Sequence, residues 1–540
     1  MGRIRNSTVA LAALLGVFVL SLYLLTGSSD LQHNGDTDLR YQTAQAMVDH
    51  HRLWIAHPMW VDTRVARGIG GHLYAFYAPG QAVFMAPLYL IGKALAHHLA
   101  LPYDTTTLYA TRSIDLWLGA ALVVLFFLLA ISIGYSRRVA LLLSLIFALA
   151  TTAWPDAQSA LEQTQVNLFL LLAVFAVGSF ARRGLADRRW MVLAGTGIGL
   201  CIFTRYDGAL FLPVIALYPA VLRLREHRPA AIAGDWLAYG LAILPWGLLV
   251  LGWDTLRFSK PWLTGLHEKT AGEPFWSGFL GLTVSPGKGL VWYLPLVFLL
   301  PWAFPRFAHW RPGLAWLFSA LIVVPLLFYS NVLYWHGDPA WGPRYLYTAV
   351  PYLILPLGTL LASWRTNALP LRLAMVGLVA AGLALSVAAV SVTQWRFWYR
   401  IEAVEARTSH PFHWGAQYYH YYWDVRQSPI PLQVDNLYQV IRLDLGAGRY
   451  NDLAKPSTCC SNPADNYPIN SLAFWWADTR HPLLGSHTRD AIALLLALMV
   501  AGSGSLLLGA SLRPRPDSAI RRQPPSAVPL PASSPPGHRR

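Results

Sequence analysis

Cysteine is almost missing from this chain. Of 540 residues only three are Cys: Cys201 inside an apolar run, and the adjacent pair Cys459 and Cys460. Such a distribution provides neither a spaced disulfide framework nor zinc-ligand spacing, and the vicinal pair reads as idle. Charge is scarce too, at 13% of residues, and acids are the scarcer sign, 27 Asp and Glu against 42 Lys and Arg. A soluble domain carries about a quarter of its residues as charges. With 55% hydrophobic residues and a mean hydropathy of +0.39, an ordinary water-soluble globule is excluded, and the chain reads as an all-α polytopic membrane protein. The net charge of +15 does not point to nucleic acid, because the Lys and Arg residues sit in short clusters between apolar runs, as orientation signals do.

Where acids are so few, their positions matter. Asp36 and Asp38 stand in an external loop running from Asp30 to Pro79, directly before a stretch of helical spacing. In that stretch Leu39, Thr43, Ala46, Met47, His50, Leu53 and Trp54 share one face, which predicts a helix lying on a membrane surface.

The basic clusters set the alternation of spans. Met1 to Gly27 has a basic flank and an apolar run long enough to cross, with no small-residue cleavage site, so it reads as an uncleaved first span with its N-terminus inside. Residues 81–101 are apolar, but the run between Gln81 and Lys93 carries Pro87 and has the ~10–14 residue length of an interfacial segment, so it is expected to stay on the outer surface. The second span is then Leu108 to Gly134, ending at Arg137 and Arg138 inside. Later spans are Val139–Trp154, Val166–Ala181, two short helices within Trp190–Leu222 that meet outside at Arg205 and Asp207, Trp236–Trp253, Leu290–Phe304, Leu314–Leu333, Leu346–Leu361, Leu373–Thr393 and Ala491–Leu512. This gives about twelve transmembrane helices with both termini cytoplasmic. Residues 1–393 form the membrane module, with a first external loop at 28–107; 394–488 form a small aromatic-rich external domain; 489–512 hold the last helix; and 513–540 are a Pro- and Arg-rich cytoplasmic tail expected to be disordered.

On this topology Asp36, Asp38, Arg40, Tyr41, Glu162, Arg257, Lys288, Arg344 and Tyr345 all gather on the outer side. Singly, each is an ordinary solvated flank; together they suggest a site. SPGKGL puts Lys288 on a Gly-rich turn opening a helix, and WGPRYL puts Arg344 at a helix start, where an ammonium or a guanidinium fork suits a phosphate. An anion site beside external carboxylates fits sugar transfer from a lipid phosphate. The carboxylate, Asp36 or Asp38, deprotonates an acceptor hydroxyl, the cations receive the departing phosphate, and one displacement inverts the anomeric centre.

At these residues the chain resembles the GT-C membrane glycosyltransferases, in particular the family 39-like enzymes that include protein O-mannosyltransferases and the lipid A aminoarabinose transferase. The carriers are GDTDLRYQTAQAM, GGHLYAFYAPGQAVFMAPLYL, LEQTQVNLF, GTGIGLCIFTRYDGALFLP, SPGKGLVWYLP and WGPRYLYTAVP, spread over most of residues 8–362. The resemblance implies a GT-C-like bundle with external juxtamembrane helices and an acid-bearing first loop. It also implies a polyprenyl-phosphate-linked sugar donor and a lipid, glycan or protein acceptor. The family's acidic pair before Arg-Tyr is spread here as Asp36-Thr37-Asp38-Leu39 before Arg40 and Tyr41, which leaves two positions for the base, and its third-turn acid matches Glu162. A family Lys-Pro reads Ala78-Pro79 here, which moves the lysine's phosphate-binding role to Lys288. No metal ligands are assigned, and a divalent metal stays compatible with the reading. Partners are the donor, its acceptor and membrane lipids. A rival reading is a transporter or flippase of lipid-linked saccharides, for which Arg205 and Asp207 are the close intramembrane candidates. A third, a scaffold using the aromatic C-terminal domain, leaves the external charges unexplained.

Overall fold

The computed structural model describes residues 2–28, 35–59, 64–265, 274–337, 340–394, 396–397, 422–444, 472–477, 483 and 485–512. Most of the expected external domain, the vicinal cysteines and the tail lie outside the described residues. In lipid every backbone polar group must be satisfied within its own segment, so the apolar runs fold as helices. The chain opens with α1 (Gly2–Leu25) and enters a loop holding α2 (Gly35–His50), an antiparallel hairpin of β1 (Val65–Arg67) and β2 (Leu73–Ala75), and α3 (Gly80–His98). The bundle proper follows with α4 (Tyr103–Arg112), α5 (Ile114–Ile133), α6 (Arg137–Leu149), the short α7 (Ala153–Gln158), α8 (Gln163–Arg182) and α9 (Arg189–Thr204). A 3-10 turn at Tyr206–Leu210 leads into α10 (Phe211–Arg225) and α11 (Ala230–Phe258). Then come α12 (Phe275–Thr283), α13 (Leu290–Tyr293), α14 (Leu300–Trp310) and α15 (Pro312–Tyr329). The segment Arg344–Ala362 alternates 3-10 turns with α16 (Val350–Ile354) and α17 (Gly358–Ala362), and α18 (Leu369–Ser391), α19 (Pro429–Asp444) and α20 (Ser486–Leu512) follow.

Among the described residues nine helices are long and apolar enough to cross a membrane. The twelve expected from the sequence include three that fall short of that length. α6 has 13 residues and α9 has 16, and the run after Leu290 is broken at Pro295 and Pro301 into α13, a 3-10 turn and α14. At 1.5 Å per residue, none of these pieces alone covers a ~30 Å hydrocarbon layer. α3 is not among the nine. It carries Pro87, buries Met85, Tyr89 and Ala96 against α2 and α4, and exposes Leu90, Ile91 and Leu95.

One expectation needs correction. α2 does not lie on a surface with a single apolar face down. It ends at His50, before Leu53 and Trp54, and Thr37, Asp38, Leu39, Arg40, Tyr41, Thr43, Ala44 and Ala46 are all buried. The reason is packing: α3 and α4 cover one side, while Ile55 and Ala75 of the hairpin region cover Leu39 on the other. The core of the bundle runs through α5, α6 and α8, where Phe126 stacks on Phe147 at 4.6 Å beside Leu170 and Val174. Gly195 lets α9 and α11 approach backbone to backbone, because a Cβ there would overlap the carbonyl of Tyr239. Residues 472–477 clip the end of α1: the indole N–H groups of Trp475 and Trp476 donate to Leu24 and Leu25 carbonyls, each at 2.8 Å, and Phe474 bridges Ser28.

Candidate functional site

Asp36 stands in the first turn of α2, where the helix dipole favours a negative charge. Gly35 precedes it, and a side chain there would overlap the guanidinium of Arg64, so the missing Cβ is what lets Arg64 close over the turn. The Tyr77 hydroxyl donates to Asp36 Oδ1 at 2.7 Å. Arg64 Nη1 lies 3.7 Å from the same oxygen and Arg344 Nη1 lies 3.5 Å from Oδ2. The side chain keeps 20% of its surface exposed. Burial pushes this carboxyl up, but Arg344, Arg40, Arg64 and the Tyr77 hydrogen bond outweigh it and hold the group well below the usual carboxylate range. Burial, then the Asp36 charge, pushes the Tyr77 phenol well above its ordinary value, so it stays a neutral donor.

Beneath this opening the charges are closed into pairs. Arg40 Nη1 meets Glu162 Oε2 at 2.7 Å, and its guanidinium lies 3.9 Å from the centre of the Tyr77 ring. Glu162 also pairs with Arg205, whose Nη2 meets Asp207 Oδ2 at 2.6 Å. The Tyr329 hydroxyl donates to the same Asp207 oxygen at 2.5 Å, and the Tyr329 ring stacks on Tyr345 with centroids 4.5 Å apart. Asp38, two positions from Asp36, is fully buried and paired with an equally buried Arg112.

The structure therefore brings Asp36, Arg40, Glu162, Arg344 and Tyr345 together, and sets the other sequence-derived residues elsewhere. Tyr41 turns into the loop's own core, its hydroxyl 3.0 Å from that of Thr107. Arg257 donates to Asp254 at 2.6 Å, to the Tyr206 hydroxyl at 3.1 Å and to the Ala75 carbonyl, tying the end of α11 to β2. Lys288 is buried, and its ammonium donates to the carbonyls of Ala340 at 2.6 Å and Gly342 at 3.3 Å, so it anchors the turn that delivers Arg344. Sequence reasoning missed Arg64, Tyr77, Arg112 and Tyr329. Tyr77 sits in the GGHLYAFYAPG stretch that carries the resemblance, and Arg205 and Asp207 stood out as a close charge pair, but nothing local marks Arg64. Among the described residues no group of three His, Cys, Asp or Glu side chains could hold a metal ion.

The two contacts at 3.5 and 3.7 Å are longer than good charge-assisted hydrogen bonds, which run about 2.7–2.9 Å.

Residues 99–256 match the family model described as dolichyl-phosphate-mannose-protein mannosyltransferase. A curated relative, the undecaprenyl phosphate-alpha-4-amino-4-deoxy-L-arabinose arabinosyl transferase of Yersinia pestis (strain Pestoides F), is 26% identical over 247 residues, 37% of this chain and 41% of the relative. The chain thus spans about two-fifths of the length of the curated relatives it matches. Solved structures that resemble it include ArnT from Cupriavidus metallidurans in the apo state, with a TM-score of 0.45, 15% identity and coverage of 94% of this chain and 78% of that one. Another is the Archaeoglobus fulgidus oligosaccharyltransferase in the apo form, with a TM-score of 0.48, 14% identity and coverage of 77% and 60%. What the chain is similar to, over residues 99–256 and over 247 residues respectively, is thus a mannosyltransferase family and an arabinosyl transferase.

Proposed function

We propose that this protein transfers a sugar from a polyprenyl-phosphate donor to an acceptor hydroxyl on a lipid, glycan or protein at the external face of the cell membrane. The proposed module is residues 1–393, with both termini in the cytoplasm. The observation that carries the reading is the partly open Asp36 carboxylate between the guanidiniums of Arg64 and Arg344. In the resting site the arginines make Asp36 a weak base. An arriving donor phosphate draws Arg344 and Arg64 to itself, and the basicity of Asp36 rises as they leave. Asp36 then takes the proton of the acceptor hydroxyl while that oxygen bonds to the anomeric carbon. The bond from that carbon to the phosphate oxygen breaks, its electron pair leaves with the lipid phosphate, and the two guanidiniums meet the charge. One displacement inverts the anomeric centre. Arg40, held between Glu162 and Tyr77, adds positive potential from below.

The rival transporter reading needs polar groups lining a path. Arg205 and Asp207, its best candidates, are instead tied to Glu162 and Tyr329, which favours transfer. Mass spectrometry of membranes with and without the protein tests the choice. The expected result is loss of a sugar-bearing polyprenyl phosphate and gain of the bare lipid phosphate when the protein is present, and neither change with Asp36→Asn. A lipid-linked sugar that changes leaflet with no chemical conversion would establish the transporter reading instead.

A further inference from the structure

The end of the bundle opposite Asp36 gathers cations that the fold does not pair. α8 starts beside Glu162 and ends at Arg182, so its 20 residues put Arg182 roughly 30 Å from the candidate site. Arg183 follows it, and Arg311 joins them from the turn between α14 and α15. Arg183 and Arg311 both stand close enough to Arg182 to repel its charge. Arg182 spends Nε on the Gly178 carbonyl at 3.4 Å and Nη2 on the Ser179 hydroxyl at 2.9 Å, both within its own helix. The Arg311 side chain makes no hydrogen bond or ion pair among the described residues, although its Nε is buried. It lies against the last turn of α5, where a Cβ on Gly134 would come within 2.8 Å of Nη2, and over the Trp310 ring at 4.7 Å. A buried cationic donor left without a partner is costly. The acids at this end do not answer it. Asp235 is held by Arg188 and Arg223, Asp187 accepts from the Arg189 backbone N–H at 3.2 Å, and Glu226 forms no ion pair with Arg182, Arg183 or Arg311 among the described residues. Helix ends offset little of the charge: α5 and α8 end here with about half a negative charge each, while α15 begins here with about half a positive one.

We infer that Arg182, Arg183 and Arg311 form a site for the headgroup phosphate of an anionic phospholipid in the leaflet opposite the candidate site. Scattered arginines at helix ends serve as orientation signals that stand in water. This group instead converges from separate helices, and no side chain caps the start of α15 beside it, so the N–H groups there add to an anion's welcome. Guanidinium forks match the oxygens of a phosphate diester. Aromatic rings mark the level of the membrane–water boundary: exposed Trp310 packs on Tyr135 at 5.1 Å, and the Arg183 guanidinium lies 5.0 Å from the centre of the Trp190 ring. α15, which Arg311 opens, exposes Trp316, Val323 and Leu327 at helical spacing, an apolar flank for acyl chains that a free phosphate would not need. Basic pockets between the ends of membrane helices suit anionic headgroups on these grounds. A zwitterionic headgroup carries its own ammonium into the same cluster and is repelled by it.

Native mass spectrometry and thermal unfolding of the full chain in a neutral detergent test this with three probes: phosphatidylglycerol, phosphatidylcholine and inorganic phosphate. Phosphatidylglycerol should bind about tenfold more tightly than phosphatidylcholine and raise the thermal transition, and inorganic phosphate should displace it only in large excess. Arg311→Gln and Arg182→Gln should each remove most of the preference between the lipids. Arg228→Gln, which changes an exposed arginine just beyond the end of α10, should keep it. Equal binding of the two lipids overturns the inference. So does an equal loss in Arg228→Gln, which would make the preference a property of the whole basic face, and so does inorganic phosphate that competes at the lipid's own concentration. The comparison of the two lipids needs no variant, so a misfolded variant cannot obscure it. No outcome depends on sugar transfer, so this inference stands or falls apart from the transferase reading.

Discussion

The opening of the site and the layer beneath it use the same residue types to opposite ends. Around Asp36, carboxylate and guanidiniums meet at 3.5 and 3.7 Å with a fifth of the acid's surface exposed. Below, Arg40–Glu162 closes at 2.7 Å with 4% of each side chain exposed, and Asp38–Arg112 is sealed with 1% of each side chain exposed. Long, partly exposed ion pairs hold their partners weakly. Tight, buried pairs are costly to break once formed, because each partner left behind is an uncompensated charge. On the proposed function, this difference separates a reacting carboxylate from a structural one within one helix, since Asp36 and Asp38 share the first turn of α2.

The sharpest way to break that contrast is to remove each carboxylate's charge in turn. Asp36→Asn should lower transfer by roughly 100- to 10,000-fold with normal yield of folded protein, the range expected for losing a general base. Near-normal transfer would take this loop out of the chemistry. Asp38→Asn should fail differently: leaving Arg112 buried without its partner should cost ~3–5 kcal/mol, read as a lowered thermal transition in detergent. A variant that stays as stable as the parent but loses activity would make Asp38 the reacting group and reverse the comparison.

A smaller effect separates the two cationic turns. Arg344→Ala should weaken the donor ten- to a hundredfold, from the loss of a charge-assisted phosphate contact worth ~1.5–3 kcal/mol, with the fold intact. Lys288→Ala should instead lower stability together with donor affinity, because it removes the donor to the buried Gly342 carbonyl and the half-buried Ala340 carbonyl that hold the Arg344 turn. Weakened donor binding with no change in stability would make Lys288 a direct phosphate ligand, as the Gly-rich turn in the sequence suggests.

The smallest effect is on pH. The arginines lower the Asp36 pKa in the free enzyme, so the ionised base persists as pH falls, and the acid limb of kcat/KM should lie below pH ~4, the ordinary carboxylate value. Arg344→Gln removes the largest lowering influence and should move that limb upward. The limb of kcat should lie higher than that of kcat/KM, since bound phosphate engages the same arginines. Coincident limbs would mean that the guanidiniums do not change partners.

Much of this was legible in the sequence wherever a local rule decides the outcome. Pro87 and the shortness of its apolar run set α3 apart from the nine long apolar helices, and TRYDG marks the break between α9 and α10. The scarce acids locate the loop that matters. What sequence cannot supply is which charge finds which partner across the fold. Asp36 and Asp38 look interchangeable in GDTDLRY, yet Arg112 and Arg344, brought close by α4 and by the Arg344–Ala362 segment, give them different surroundings. The turn at Lys288 reads as an anion cradle because its glycines and cation have the right spacing, but the carbonyls of Ala340 and Gly342 come from a segment more than fifty residues away. The helical period of α2 indicates one apolar face, whereas its neighbours bury several.

The indole clip on α1 sets a timetable. Leu24 and Trp475 are 451 residues apart, so at about 5–20 residues per second a ribosome delivers the cap roughly 20–90 seconds after the helix it closes. Through that interval the C-terminal carbonyls of α1, which lead into the acidic loop, lack their indole partners. The entry to the Asp36 loop is therefore fastened last, by nearly the final residues before α20.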